Sequence, residues 1–237
     1  MGKGIFIIGT DTDVGKTFVT AALTYKLKSN GYKVIPFKPV QSGGVEIKNK
    51  LTPPDINYIR SLEDDKFKYT GEEYENMNCY CLKEEVSPHL AAKIENVKIE
   101  KEKILNQYKK LIKRYDYVIV EGAGGIVVPL IENEYFIYDL IKDLELDVVI
   151  VARGGVGTIN HTVLTNEFLK GKNINAKGII INNYNSKFYE DDNIKLIEEL
   201  TDLKVLAKIN KVENLKSENI KEEYSKLDLE NLLELFN

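Results

Sequence analysis

Apolar positions along the chain fall into short, dense runs. Ile5-Phe6-Ile7-Ile8, Val34-Ile35-Pro36-Phe37, Tyr117-Val118-Ile119-Val120, Val148-Val149-Ile150-Val151 and Ile179-Ile180-Ile181 each read as a strand covered on both faces. Lys204–Ala207 reads as the last strand. Longer segments with helical spacing separate the runs. They are Thr17 to about Ser29, closed by Asn30-Gly31, then 96–114, Thr158 to about Leu169, Asp192–Leu200 and a terminal stretch over Leu227–Phe236. Ser87-Pro88 opens a further helix with proline in its first turn, and Pro53-Pro54-Asp55 runs from a loop into another. Residues 60–86, rich in Tyr, Glu and Lys, give no period that assigns an element. Strand alternating with helix predicts an α/β fold: a mostly parallel sheet with helices on both faces. No linker, repeat or low-complexity stretch divides it, so one domain over 1–237 is expected.

The first strand runs into Gly9-Thr10-Asp11-Thr12-Asp13-Val14-Gly15-Lys16-Thr17, and a helix follows. Strand, glycine-bracketed loop, Gly-Lys-Thr and helix make the context of a phosphate-binding P-loop, in which backbone N–H groups converge on anionic oxygens. Lys16 would reach the β- and γ-phosphates, and the Thr17 hydroxyl would ligate Mg2+. Five residues, where four are usual, separate Gly9 from Gly15.

Other strands also end in turns. Lys38-Pro39-Val40-Gln41-Ser42-Gly43-Gly44 follows the second run, putting Lys38 and Ser42 where ligands meet open parallel sheets. Asp55, at a helix start, is either a cap or a metal ligand beside Thr17. Glu121, before Gly122-Ala123-Gly124-Gly125, is delivered as a P-loop protein delivers its second metal contact, with Glu in place of the usual Asp. Thr17, Asp55, Glu121 and phosphate oxygens would suffice for Mg2+, which keeps several waters. The glycine-rich start of the helix at Thr158 offers N–H groups to a second anion, such as a substrate carboxylate. Asn182 and Asn183, at a strand's end, are placed for a base edge.

Composition narrows the field. The 237 residues carry a formal net charge of −4, which argues against a general nucleic-acid binder. Cys79 and Cys81 lack the Cys or His partners that zinc needs, and read as reduced thiols. Neither a leader nor an apolar run of membrane-spanning length stands out, so a cytoplasmic protein without a membrane partner is expected.

Taken together, GTDTDVGKT at 9–17, KPVQSG at 38–43, Asp55, Ser87-Pro88-His89, EGAGG at 121–125 with Pro129-Leu130, GTINH at 157–161 and GIIIN at 178–182 resemble the dethiobiotin synthetase family. The blocks stand in the family's order, and the long P-loop spacing is its own form. The resemblance implies the penultimate step of biotin synthesis, in which 7,8-diaminononanoate, CO2 (or bicarbonate) and MgATP give dethiobiotin, ADP and phosphate. A carbamate forms on one amine, its oxygen takes the γ-phosphate, and the second amine closes the ring on the mixed anhydride. Lys38, Lys16, Thr12 and Ser42 are then the catalytic set, with Thr12, Lys38 and Ser42 also touching substrate. The backbone of Gly157, Thr158, Ile159 and Asn160 would bind the substrate carboxylate.

The resemblance likewise assigns ATP to Asp13, Val14, Gly15, Lys16, Thr17, Phe18, Asp55, Glu121, Gly122, Ala123 and Gly124. Asn182, Asn183, Asn210, Lys211, Val212 and Glu213 would surround the base and ribose. It implies a homodimer with the site at the subunit interface. Two positions depart from the family: Asn210 stands where a proline is usual, and Asp13 where Glu is frequent. His89 and His161 read as structural, because protons can pass to phosphate or water.

Two other classes fit less well. Partition and cell-division ATPases carry a second lysine early in the loop, where this chain has Asp11 followed by Thr12 and Asp13. Their membrane versions end in a basic amphipathic helix, whereas Leu227–Phe236 is acidic. Amidotransferase ligases add a glutaminase domain with a nucleophilic cysteine, for which neither the length nor Cys79 and Cys81 speaks.

Overall fold

A computed structural model describes residues 2–64 and 68–237. In chain order its elements are β1 (Lys3–Gly9), α1 (Lys16–Ser29), β2 (Val34–Gln41), β3 (Val45–Ile47), β4 (Lys50–Thr52), α2 (Pro54–Ser61), α3 (Gly71–Asn76), β5 (Asn78–Cys81), α4 (Pro88–Ile94), α5 (Lys101–Arg114) and β6 (Tyr117–Glu121). There follow β7 (Pro129–Ile131), β8 (Tyr135–Phe136), α6 (Ile137–Asp143), β9 (Val148–Arg153), α7 (Thr158–Gly171), β10 (Ala176–Tyr184), α8 (Phe188–Thr201), β11 (Val205–Asn210), α9 (Ser217–Ser225) and α10 (Leu229–Glu234).

Seven strands form one sheet in the order β11-β10-β9-β1-β6-β2-β5, every pairing parallel. The continuous apolar runs are its interior: Ile5 to Ile8, Val118 to Val120 and Val148 to Val151 are at most 1% exposed. Each such side chain contributes about 1.5–3 kcal/mol on burial. Right-handed crossovers put α1 and α2 on one face, where chain progress runs from β1 toward β5. They put α6, α7 and α8 on the other, where it runs back toward β11. Helices α9 and α10 return to pack on α1. The connections leaving the adjacent strands β1 and β6 thus run in opposite directions along the sheet, to β2 and to β9. This is the topological switch where an open sheet leaves a crevice at its carboxyl edge.

The strands and helices read from the sequence are present, with shifted boundaries. The second strand does not stop at Phe37. It pairs with β6 through Phe37 and then with β5, where Lys38 faces Asn78 and Val40 faces Tyr80, leaving Pro39 between pairs. Lys38 therefore lies on a strand, not in a turn. The helix expected over 96–114 starts only at Lys101, the one expected from Asp192 starts at Phe188, the terminal stretch over Leu227–Phe236 is the short α10, and α9 before it was not expected. Within 60–86, α3 and the edge strand β5 lie among the described residues, while 65–67 fall outside them. Among the described residues no helix is long and apolar enough to cross a membrane.

Candidate functional site

The carboxyl ends of β1, β6 and β2, with the start of α2, enclose a cleft of about 580 Å³. The P-loop forms one wall. Gly15, at φ 95°, caps α1, and a Cβ there would lie 1.9 Å from Asn182 Nδ2. Only glycine combines that left-handed backbone with that contact. Asn182 is itself buried: its Nδ2 donates to the Val14 carbonyl at 3.0 Å, and its Oδ1 has no partner among the described residues. Lys16 Nζ curls back to the Asp11 carbonyl at 3.0 Å. Burial, then the positive charge of Lys38, bring its pKa down to about 8.

Opposite the loop stands a buried charge cluster. Lys38 Nζ lies 2.6 Å from Asp55 Oδ2, 2.9 Å from Glu121 Oε1 and 2.9 Å from the Gly122 carbonyl. The Thr17 hydroxyl donates to the same Glu121 Oε1 at 2.8 Å. Lys38 and Glu121 are 4% and 1% exposed, so water screens neither. Burial opposes the charge on Lys38, but the Glu121 and Asp55 carboxylates outweigh it and hold its pKa above the ordinary lysine value. Burial also opposes the charge on Asp55, and Lys38 beside it keeps that carboxyl below its usual range. For Glu121 burial wins, with the Asp55 carboxylate adding to it, and the pKa rises. Asp55 thus serves the cluster and not its helix.

Sequence fixes these positions locally. Lys38 is held by strand pairing, its N–H donating to the Met77 carbonyl at 2.7 Å and its carbonyl accepting from Asn78 Nδ2 at 2.7 Å. Glu121 ends the buried strand β6, and Thr17 lies in the first turn of α1. Two carboxylates, a hydroxyl and an open face toward the P-loop suit a hard divalent cation sharing phosphate oxygens. Glu121 Oε2 is buried without a partner among the described residues, an acceptor such a cation would satisfy.

Thr12, Asp13, Gly15, Lys16, Thr17, Phe18, Lys38, Ser42, Asp55, Glu121, Ala123 and Gly124 all line this cleft. Val14 is buried behind the loop and meets Asn182, and Gly122 gives its carbonyl to Lys38. Gly157, Thr158, Ile159 and Asn160 do not line the cleft. They open α7, after β9, where Val156 is 97% exposed. Asn183, Lys211, Val212 and Glu213 also lie outside its walls. Asn210 is committed elsewhere, its N–H and Nδ2 donating to Glu223 Oε1 at 2.8 and 2.7 Å. That pair locks α9 to β11, a role the sequence did not suggest. His89 and His161 are likewise absent from the cleft walls. Burial lifts the Cys79 and Cys81 thiols to about 11, so neither is a nucleophile at neutral pH.

Some neighbours of the site escaped the sequence reading. Arg153, the last residue of β9, donates from Nη2 to the Asp13 carbonyl, while its own carbonyl accepts from the Thr158 hydroxyl. It ties the P-loop to the start of α7. Its position before a glycine-rich turn was the available signal. Tyr58 lines the cleft and, with Phe18 and Tyr224, forms an aromatic cluster with centroids 6.2 and 5.0 Å from Phe18.

Residues 3–219 match the model of an AAA domain family. A protein of Clostridium kluyveri named ATP-dependent dethiobiotin synthetase BioD is 45% identical over 223 residues, covering 93% of this chain and 90% of that one. One of the same name from Clostridium novyi is 41% identical over 233 residues, covering 96% of each. The chain belongs to the dethiobiotin synthetase family. Another dethiobiotin synthetase, from Fusobacterium nucleatum, is 45% identical over 203 residues, 85% of this chain and 89% of that one. Among solved structures, a ParA family ATPase from Chlorobium tepidum superposes with a TM-score of 0.57 at 15% identity, covering 95% of this chain and 91% of that one. The MinC:MinD cell division complex of Aquifex aeolicus gives 0.59 at 16% identity, with coverage of 99% and 93%. At such identity the likeness extends to the fold alone. This chain thus belongs to a family of ATP-dependent enzymes and shares its fold with those ATPases.

Proposed function

We propose that this protein closes the ureido ring of dethiobiotin from 7,8-diaminononanoate, CO2 and ATP, releasing ADP and phosphate, in the penultimate step of biotin synthesis. It would act in the cytoplasm as a homodimer. The observation that carries the reading is the buried Lys38 ammonium, held facing a P-loop lysine across one cleft. A carbamate and a triphosphate repel each other, and bringing them to attack distance requires fixed positive charge in a site shielded from water.

In this reading one substrate amine captures CO2 and loses a proton, leaving a carbamate. Lys38 holds its oxygen, with the Thr12 and Ser42 hydroxyls as further hydrogen-bond partners. The carbamate oxygen attacks the γ-phosphorus, and the bond from phosphorus to the bridging oxygen of ADP breaks. Lys16 follows the phosphate oxygens. The second amine then attacks the carbonyl carbon of the mixed anhydride, closes the ring and expels phosphate, losing its proton to phosphate or water. Thr17, Asp55 and Glu121 would hold Mg2+, which supplies charge neutralisation on the phosphates. Asn182 Oδ1, buried and unpartnered, suits the amino group of adenine. Asn183, Lys211, Val212 and Glu213 would close over the base and ribose, while Asn210 would act there through its backbone.

Geometry supports the homodimer beside the resemblance to the family. The backbone N–H groups of Gly157, Thr158, Ile159 and Asn160 lie outside the cleft of their own chain, and exposed Val156 stands beside them. A second copy could bring that helix start to the far end of the substrate, where the carboxylate lies. Mass spectrometry of purified protein with MgATP, bicarbonate and 7,8-diaminononanoate tests the whole reading. Diamine- and ATP-dependent appearance of the cyclic urea is expected. ATP hydrolysis without it would retire the substrate assignment.

A further inference from the structure

We propose that the Lys38 ammonium is a resident counter-ion on the metal carboxylates, exchanged for the incoming divalent cation, so that Lys38 becomes an anion-binding group only once that exchange has occurred. The proposal rests on the reading of Thr17, Asp55 and Glu121 as the metal-holding set, and not on which substrate is carboxylated.

Three contacts carry it. Lys38 Nζ lies against oxygens of both carboxylates, 2.6 Å from Asp55 and 2.9 Å from Glu121. Glu121 Oε1 accepts from Thr17 as well, at 2.8 Å, so the oxygen nearest the threonine is the one the lysine occupies. The third contact, to the Gly122 carbonyl at 2.9 Å, fills the third ammonium proton. All three donors of Lys38 are therefore committed to the cluster, and an amine with three donors has none left for a carbamate. Lys38, Asp55 and Glu121 together carry one positive and two negative charges. A divalent ion on the two carboxylates would neutralise them alone and set the lysine charge free, unpaired at a side chain only 4% exposed. That is a costly state for an ammonium and a favourable one for capturing an anion. The lysine and the metal thus compete for the same oxygens, and the metal's arrival creates the positive site next to the γ-phosphate.

Competition predicts that deleting the lysine charge tightens metal binding, the opposite of what loss of a merely supportive residue does. Protein carrying one equivalent of ADP is titrated with Mn2+, and free Mn2+ is read by electron paramagnetic resonance. Lys38→Met should bind Mn2+ at least about fivefold more tightly than the wild type, the lower end of ordinary coupling between two sites. Lys38→Arg, which keeps the cation, should stay nearer the wild type. Equal or weaker binding by Lys38→Met overturns the proposal. A second readout needs no charge-deleting variant. In wild-type protein with 15N-labelled lysine and one equivalent of ADP, the Lys38 ammonium resonance, assigned by its absence in Lys38→Arg, should move as Mg2+ is added. A resonance unmoved at the Mg2+ concentration that saturates the complex overturns it equally. Neither readout uses the diamine or CO2, so a failure to form dethiobiotin leaves both standing.

Discussion

Lys16 and Lys38 bring the same charged head into one cleft, and their surroundings drive them apart. Burial and the neighbouring Lys38 charge lower Lys16 to about 8, while carboxylates hold Lys38 up. Free Lys16 is therefore partly neutral just above pH 8 and charged at pH 7. Phosphate oxygens favour its charged form, so binding ADP must raise its pKa and take up a proton in the alkaline window. Calorimetry of ADP binding in buffers of differing ionisation enthalpy should show proton uptake at about pH 8.5 and little at about pH 7. For Lys38, replacement by alanine should cost on the order of 100-fold or more in turnover, the scale for removing a preorganised charge-stabilising group. Turnover near the wild-type rate would take Lys38 out of the chemistry. Both lysines were legible because each belongs to a motif near a strand's carboxyl end, Lys16 in the loop that joins β1 to α1 and Lys38 in the run that precedes Gly43-Gly44. The Lys38 ion pairs were not, since Asp55 and Glu121 lie 17 and 83 positions away along the chain.

At the scale of elements, what the sequence displayed best were strands buried on both faces, whose runs have no competing reading. β5 escaped because Asn78-Cys79-Tyr80-Cys81 presents only Tyr80 to the core, and its place is set by β2 beside it. The β7–β8 hairpin and α6 are short, and long-range packing decides their ends. α9 shows what such tertiary control costs. Its Glu223, 7% exposed, accepts from both nitrogens of Asn210 and pairs with Lys226 at 2.9 Å. Glu223→Ala would take away the acceptor of both Asn210 nitrogens; Asn210 is exposed, so the loss should destabilise the fold by only about 0.5–1.5 kcal/mol, the net worth of an ordinary hydrogen bond. Urea denaturation would measure it, and an unchanged midpoint would mean that water replaces the carboxylate. A proline at 210, which the resemblance leads one to expect, could not supply that N–H.

The start of α7 lies outside the walls of its own cleft, with Val156 beside it exposed. Light scattering on the purified protein should therefore report about twice the mass of one 27.0 kDa chain, as a two-fold assembly with shared sites requires. A single-chain mass at working concentration would leave Gly157–Asn160 without a substrate to bind. β1 and β2 are successive in the chain, yet β6 lies between them, with Tyr117 paired to both Lys3 and Val34. During synthesis the first two strands emerge long before the one that joins them, and each offers an open edge until residues 117–121 arrive. The P-loop can form early; the cleft cannot exist until that slot is filled. Nucleotide spanning α1 and β6 would thus do little to hasten folding, and would act as a brake on coming apart.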